Sequence, residues 1–166
     1  MQAWRHGFPP AVTVYAPRDL AVCAVAAQWV QTACQAVEAS RQGVGFIHAD
    51  LHQWNYLFHG EDVRVIDFDD CGWGYSVYDM AVTLTDLADR DDFAALRHAF
   101  LTGYTRVQPL PPGYETAIKP LSAARILFML EWLLGRTHPE PWAWGEAYRR
   151  TAVGRLERLL AEATLP

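Results

Sequence analysis

The sequence predicts a mainly α fold, α+β overall, in which a helical bundle carries one small β-hairpin. Three observations predict it. Apolar residues recur at helical spacing over long stretches before Ser40 and after Tyr75. Between those stretches, two short runs of β-branched and aromatic residues flank a glycine-containing turn. Clusters of glycine and proline then cut the remaining sequence into helix-length pieces.

The elements follow in order. Residues 1–17 hold Pro9, Pro10 and Pro17 without periodicity, which suits an extended lead-in or interdomain linker. Asp19 is placed to cap a helix reaching about Ser40, with Val22, Val25, Trp29, Ala33 and Val37 on one face. Little charge lies between Arg18 and Glu38, so this helix is expected to be central. Gly43 and Gly45 end the pattern, and Phe46-Ile47 leads into the polar stretch "HADLHQWN". Tyr56-Leu57-Phe58 and Val63-Arg64-Val65-Ile66 flank His59-Gly60-Glu61-Asp62 as a hairpin. Helices are expected at about 75–88, 91–106, 114–135 and 142–163. Pro109, Pro111 and Pro112 divide the second of these from the third, and Gly135, Pro139 and Pro141 divide the third from the fourth.

Composition narrows the function classes. A chain of 166 residues suits one domain that needs no disulfides. Mean hydropathy is −0.05, and the most apolar run, Ile126 to Leu134, is interrupted by Glu131, so no membrane span is expected. The first residues do not read as a signal peptide, and a cytoplasmic location is expected. Cys23, Cys34 and Cys71 have no zinc-ribbon or CxxC spacing and read as buried reduced thiols. A formal charge of −5 argues against nucleic-acid binding, which needs clustered cations.

The chemistry gathers at the hairpin. Asp50 precedes it, Asn55 opens its first strand, and Asp67 follows its second in Ile66-Asp67-Phe68-Asp69-Asp70. A hairpin brings its outer ends together, so these side chains can converge. An amide oxygen and a carboxylate are hard donors that suit Mg2+, which commonly binds substrate phosphates as well. A second carboxylate left free of metal could accept a proton from an attacking hydroxyl. These are the parts that phosphoryl transfer requires. In the protein-kinase pattern, the base of H-R-D precedes the metal-binding Asn by five positions, and the second metal-binding Asp follows in D-F-G. His48-Ala49-Asp50 stands before Asn55 at that spacing, and Ile66-Asp67-Phe68 follows the hairpin.

The run "HADLHQWNYLFHGEDVRVIDFDDCGWGYSVYDMA" resembles the aminoglycoside phosphotransferase family, relatives of choline kinases, type II homoserine kinases and a bacterial stress-response branch. Its "IDFDDCGWG" segment is closest in flavour to the homoserine-kinase and stress-response branch. The resemblance implies a protein-kinase-like C-terminal lobe over residues 18–166, with its specific motifs in residues 45–81. It implies Asp50 as catalytic base and Asn55 and Asp67 as ligands of Mg2+ on ATP. His48, His52 and Asp79 would be supporting residues, with Asp79 in "YDMA" bracing the loop backbone. Ala49 stands where the family usually has glycine, and Gln53-Trp54 where Pro-Gly is common. Trp54 could tighten the pocket or pack on the hairpin. The small N-terminal β lobe is expected to be missing: no glycine-rich loop precedes the motif, and the one lysine, Lys119, lies downstream in an expected helix.

The activity implied is transfer of the γ-phosphoryl group of ATP to a hydroxyl of a small molecule or protein, incomplete without a nucleotide-covering lobe. A second reading is a non-catalytic lobe kept as a binding module. A third is a metal-dependent hydrolase using His48, Asp50 and His52, which alternate along an extended segment. Asp69 and Asp70 read as a solvated loop or as contacts to metal or a cationic substrate. Trp132, Trp142, Trp144 and Tyr148 read as core before acceptor pocket.

Overall fold

The computed structural model describes residues 16–40, 43–134 and 142–164. Most of the expected lead-in, residues 1–15, and the prolines at 139 and 141 lie outside the described residues. The element order is α1 (Pro17–Ser40), β1 (Val44–Ile47), a 3-10 turn (Gln53–Asn55), β2 (Tyr56–His59), β3 (Asp62–Val65), β4 (Gly72–Tyr75), α2 (Ser76–Leu87), α3 (Phe93–Val107), α4 (Tyr114–Leu134) and α5 (Trp142–Thr164). All five expected helices form.

The central helix is α4, not α1. Ala123, Ile126, Leu127 and Leu130 of α4 are buried against Ala26 and Val30 of α1 and Ala152 and Leu156 of α5. The opposite side of α4 packs Ala117 and Leu121 against Val77, Met80 and Ala81 of α2. Burying each large aliphatic side chain is worth about 1.5–3 kcal/mol, so the Leu- and Ile-rich helix takes the middle. Seven of the 24 residues of α1 are alanine, which returns little on burial. Its inner stripe is Ala26, Val30 and Cys34, while Val25 is 57% exposed. α1 is long and apolar enough by length and composition to cross a membrane, yet this stripe joins the bundle core. Cys23, Cys34 and Cys71 are free and half-buried.

The sheet topology is nested. β2 and β3 form the expected hairpin, with Tyr56 opposite Val65 and His59 opposite Asp62. Gly60, at φ 60°, opens its two-residue turn. Outside this hairpin lies a second antiparallel ladder that periodicity does not reveal, β1 with β4, pairing Val44 with Tyr75 and Ile47 with Gly72. Two loops, 48–55 and 66–71, therefore run side by side between the ladders. The polar motifs sit in those loops.

Lys119 lies on α4 and pairs with Glu162 at 3.0 Å. At the end of α2, Asp89 pairs with Arg158 at 2.9 Å and faces Arg155, whose guanidinium also donates to the Thr85 carbonyl. These contacts tie α5 to the helix that braces the site.

Candidate active site

The 48–55 loop is held from three sides. From α2, the two carboxylate oxygens of Asp79 accept the N–H groups of His48 at 2.8 Å and Ala49 at 2.7 Å. One turn later the buried Thr83 hydroxyl donates to the Leu51 carbonyl at 2.6 Å and meets the Tyr56 hydroxyl at 3.0 Å. Gln53 Nε2 donates to the Thr83 carbonyl at 3.0 Å. Asp79 and Thr83 are four apart, so they share one face of α2. Burial holds the Asp79 carboxyl above its usual range, against the lowering effect of the two backbone N–H groups.

The second hold is the neighbouring 66–71 loop. Ile66 N–H donates to the Asn55 carbonyl at 3.1 Å. The buried His48 ring spans the gap: Nδ1 accepts the Asp50 N–H at 3.3 Å, which leaves Nε2 as the protonated nitrogen, 2.9 Å from the Ile66 carbonyl. Its ring also lies 4.8 Å from that of Phe68. Both His48 nitrogens are thereby engaged, and neither is left for a zinc ion in the hydrolase reading. Among the described residues no three His, Cys, Asp or Glu side chains form a metal-holding group.

The third hold comes from α4. Arg125 Nη1 lies 2.7 Å from Asp50 Oδ1. Asp50 Oδ2 lies 3.3 Å from Nε2 of His52, whose Nδ1 accepts the Trp54 N–H at 3.3 Å. Burial pushes the Tyr78 phenol up to about 12, against the lowering effect of the nearby Arg125 charge.

Asn55 is buried, and its Nδ2 donates to the Asp50 carbonyl at 2.9 Å. That bond fixes the amide so that Oδ1 points away as a free acceptor. Asp67 follows β3, exposed, with φ 64°. Ala49, at φ 68°, is the other non-glycine residue with positive φ among the described residues. Each such backbone costs of order 1–3 kcal/mol and persists only where neighbours over-determine it. Both flank the same loop pair. An amide oxygen and a carboxylate are oxygen donors of the kind Mg2+ takes.

Next to the loop is a cavity of about 210 Å³, lined among others by Ala49, Asp70, Trp73, Tyr78 and Phe128. Trp73 and Phe128 line this cavity, and of the aromatic residues singled out near the C-terminus, Tyr148 packs against the bundle core. The side chains of Trp142 and Trp144 lie outside the described residues. Trp54 neither fills a pocket nor packs on the hairpin, being 86% exposed. The sequence reading missed Arg125 and Thr83. Thr83 had a signal, four positions after Asp79 on the same helix; a single arginine far along the chain had none.

Comparisons with known proteins follow the same lines. Residues 3–117 match the model of the phosphotransferase enzyme family, APH. Amicoumacin kinase from Bacillus subtilis (strain 168) is 26% identical over 122 residues, covering 68% of this chain and 36% of that protein. A homoserine kinase from Neisseria meningitidis serogroup B is 36% identical over 87 residues, covering 46% of this chain and 28% of that protein. A microcompartment-associated aminopropanol kinase superposes with a TM-score of 0.77 at 24% identity, over 99% of this chain and 51% of that one. Amicoumacin kinase hAmiN, solved with AMP-PNP, Ca2+ and Ami, gives a TM-score of 0.63 at 21% identity, over 87% of this chain and 48% of that one. The chain thus spans about half the length of these solved structures and about a third of these curated relatives.

Proposed function

The chain belongs to the phosphotransferase enzyme family and has the fold of a kinase-like C-terminal lobe; from that premise we propose that residues 18–166 form the catalytic lobe of an ATP-dependent kinase. Residues 1–17 would lead in from a nucleotide-covering lobe. The γ-phosphoryl group of ATP would pass to a hydroxyl of a small molecule or protein. The observation that carries this reading is the bond from Asn55 Nδ2 to the Asp50 carbonyl. It engages the amide nitrogen, so that the oxygen would remain for a metal, and it ties Asn55 to the loop that carries Asp50.

In this reading Asn55 Oδ1 and the Asp67 carboxylate would hold Mg2+, which supplies charge neutralisation on the phosphate oxygens. Asp50 orients the acceptor hydroxyl and takes its proton at Oδ2, the oxygen more loosely held. His48 and Asp79 keep the loop in register, and His52 keeps the proton-accepting edge of Asp50 in place. The cavity beside Ala49 would receive the acceptor. An ATP donor and a formal charge of −5 support a cytoplasmic enzyme without nucleic-acid partners.

One feature favours a second reading. Both Asp50 oxygens are occupied, by Arg125 and by His52, as they would be in a non-catalytic binding module. Phosphorus NMR separates the two. ATP and Mg2+ are incubated with the chain and hydroxyl acceptors such as homoserine and aminopropanol, with and without a small lobe supplied in trans. Catalysis predicts a new phosphoester signal alongside ADP, lost in Asp50→Asn. Unchanged ATP across every combination would refute it.

A further inference from the structure

Arg125 lies outside every motif, yet it makes the shortest ion pair to Asp50. We propose that Arg125 is a positioning residue for the Asp50 carboxylate, a role that rests on the phosphotransferase reading. Its side chain is 4% exposed, and Nη1 sits 2.7 Å from Asp50 Oδ1. Its buried Nε has no hydrogen-bond partner in the structure. A guanidinium cannot shed its charge when buried, so it must keep an anion beside it. Asp50 is the carboxylate in salt-bridge contact with it among the described residues.

The guanidinium is itself held. Its Cζ lies 5.9 Å from the Phe128 ring centroid, and Tyr78 lies within the field of its charge. Tyr78 and Phe128 also line the 210 Å³ cavity, which Ala49 reaches from the loop side. Arg125 therefore stands behind the wall of the space an acceptor would fill. The two oxygens of Asp50 are held unequally: Oδ1 by a permanent, buried charge, and Oδ2 by a His52 ring that is 20% exposed. An incoming hydroxyl can replace His52 at Oδ2 without disturbing the contact that sets the carboxylate plane. Such fixed orientation is a large part of what a phosphotransferase contributes, and small misplacements can cost about a hundredfold in rate.

Two measurements test this. In chain labelled with 15N-arginine, the Arg125 guanidinium should give slowly exchanging side-chain N–H signals that Asp50→Asn removes and His52→Ala keeps. In MgATP turnover with water as acceptor, Arg125→Met should lower kcat about tenfold to a hundredfold with KM for MgATP within about twofold. Arg125→Lys should restore part of the rate. Guanidinium signals insensitive to Asp50→Asn overturn the pairing whatever the turnover, as does a change in KM with kcat intact. Slow guanidinium signals in a chain that never turns over MgATP, even with a small lobe in trans, overturn the phosphotransferase reading and positioning for catalysis with it.

Discussion

Asp79 grips Ala49 by its backbone, accepting that residue's N–H at 2.7 Å from a helix 30 positions further along the chain. Ala49 stands at φ 68°, a conformation that costs an L-residue roughly 1–2 kcal/mol. The carboxylate also accepts the N–H of His48, so one side chain satisfies two donors at the loop's sharpest bend. Removing it as Asp79→Ala should destabilise the chain by roughly 1–3 kcal/mol, read as a lower urea midpoint. Unchanged stability would mean that the bend holds itself.

The same carboxyl should leave a pH signature. Burial raises its pKa in the folded chain, so between the unfolded and folded values the native state holds more protons. Stability relative to Asp79→Asn should therefore fall as pH rises through the upper carboxylate range, then level off. A difference that grows with pH would contradict the sign.

Ala49→Gly should raise stability by about 0.5 kcal/mol. It removes the Cβ penalty of the left-handed backbone and gives back part of that in glycine's unfolded-state entropy. Thermal unfolding reads the shift; a lower Tm would show that the alanine methyl packs more than the geometry implies.

Tyr78 predicts an alkaline loss. Its phenol is pushed up to about 12 by burial, above its ordinary value of 10.0, so the unfolded chain releases the proton first. Stability should drop between those two values as pH rises, and Tyr78→Phe should flatten the profile there.

Gly74 sets the close approach of β4 to β1. A Cβ there would stand 2.9 Å from Ile47 Cγ1, and nearer still to Cδ1. Gly74→Ala should cost about 1–3 kcal/mol and disturb Ile47, the residue entering the polar loop. Equilibrium unfolding and the Ile47 methyl shifts report both effects.

The helices were legible because they are long and punctuated: the 114–135 expectation matches the observed Tyr114–Leu134, residue 135 lying outside the described residues. The hairpin was legible from its glycine turn. The β1–β4 ladder was not, because Gly72-Trp73-Gly74 shows no alternation and its partner lies across the nested hairpin. The position of α1 was misread because a scarcity of charge does not say which face packs: Val25, on the expected face, is 57% exposed, while Ala26 and Val30 are buried. At the site, spacing pointed to Asp50, Asn55 and Asp67, and the family resemblance to Asp79. Arg125 was invisible, since only the packing of α4 against the loop makes it a neighbour of Asp50.

Calorimetric titration with AMP-PNP bears most directly on the phosphotransferase reading. Binding should require Mg2+, and Asp67→Ala should abolish it while leaving the unfolding temperature close to that of the parent chain. Nucleotide binding indifferent to Mg2+ or to Asp67→Ala, or no binding at all even with a small lobe supplied, would contradict it.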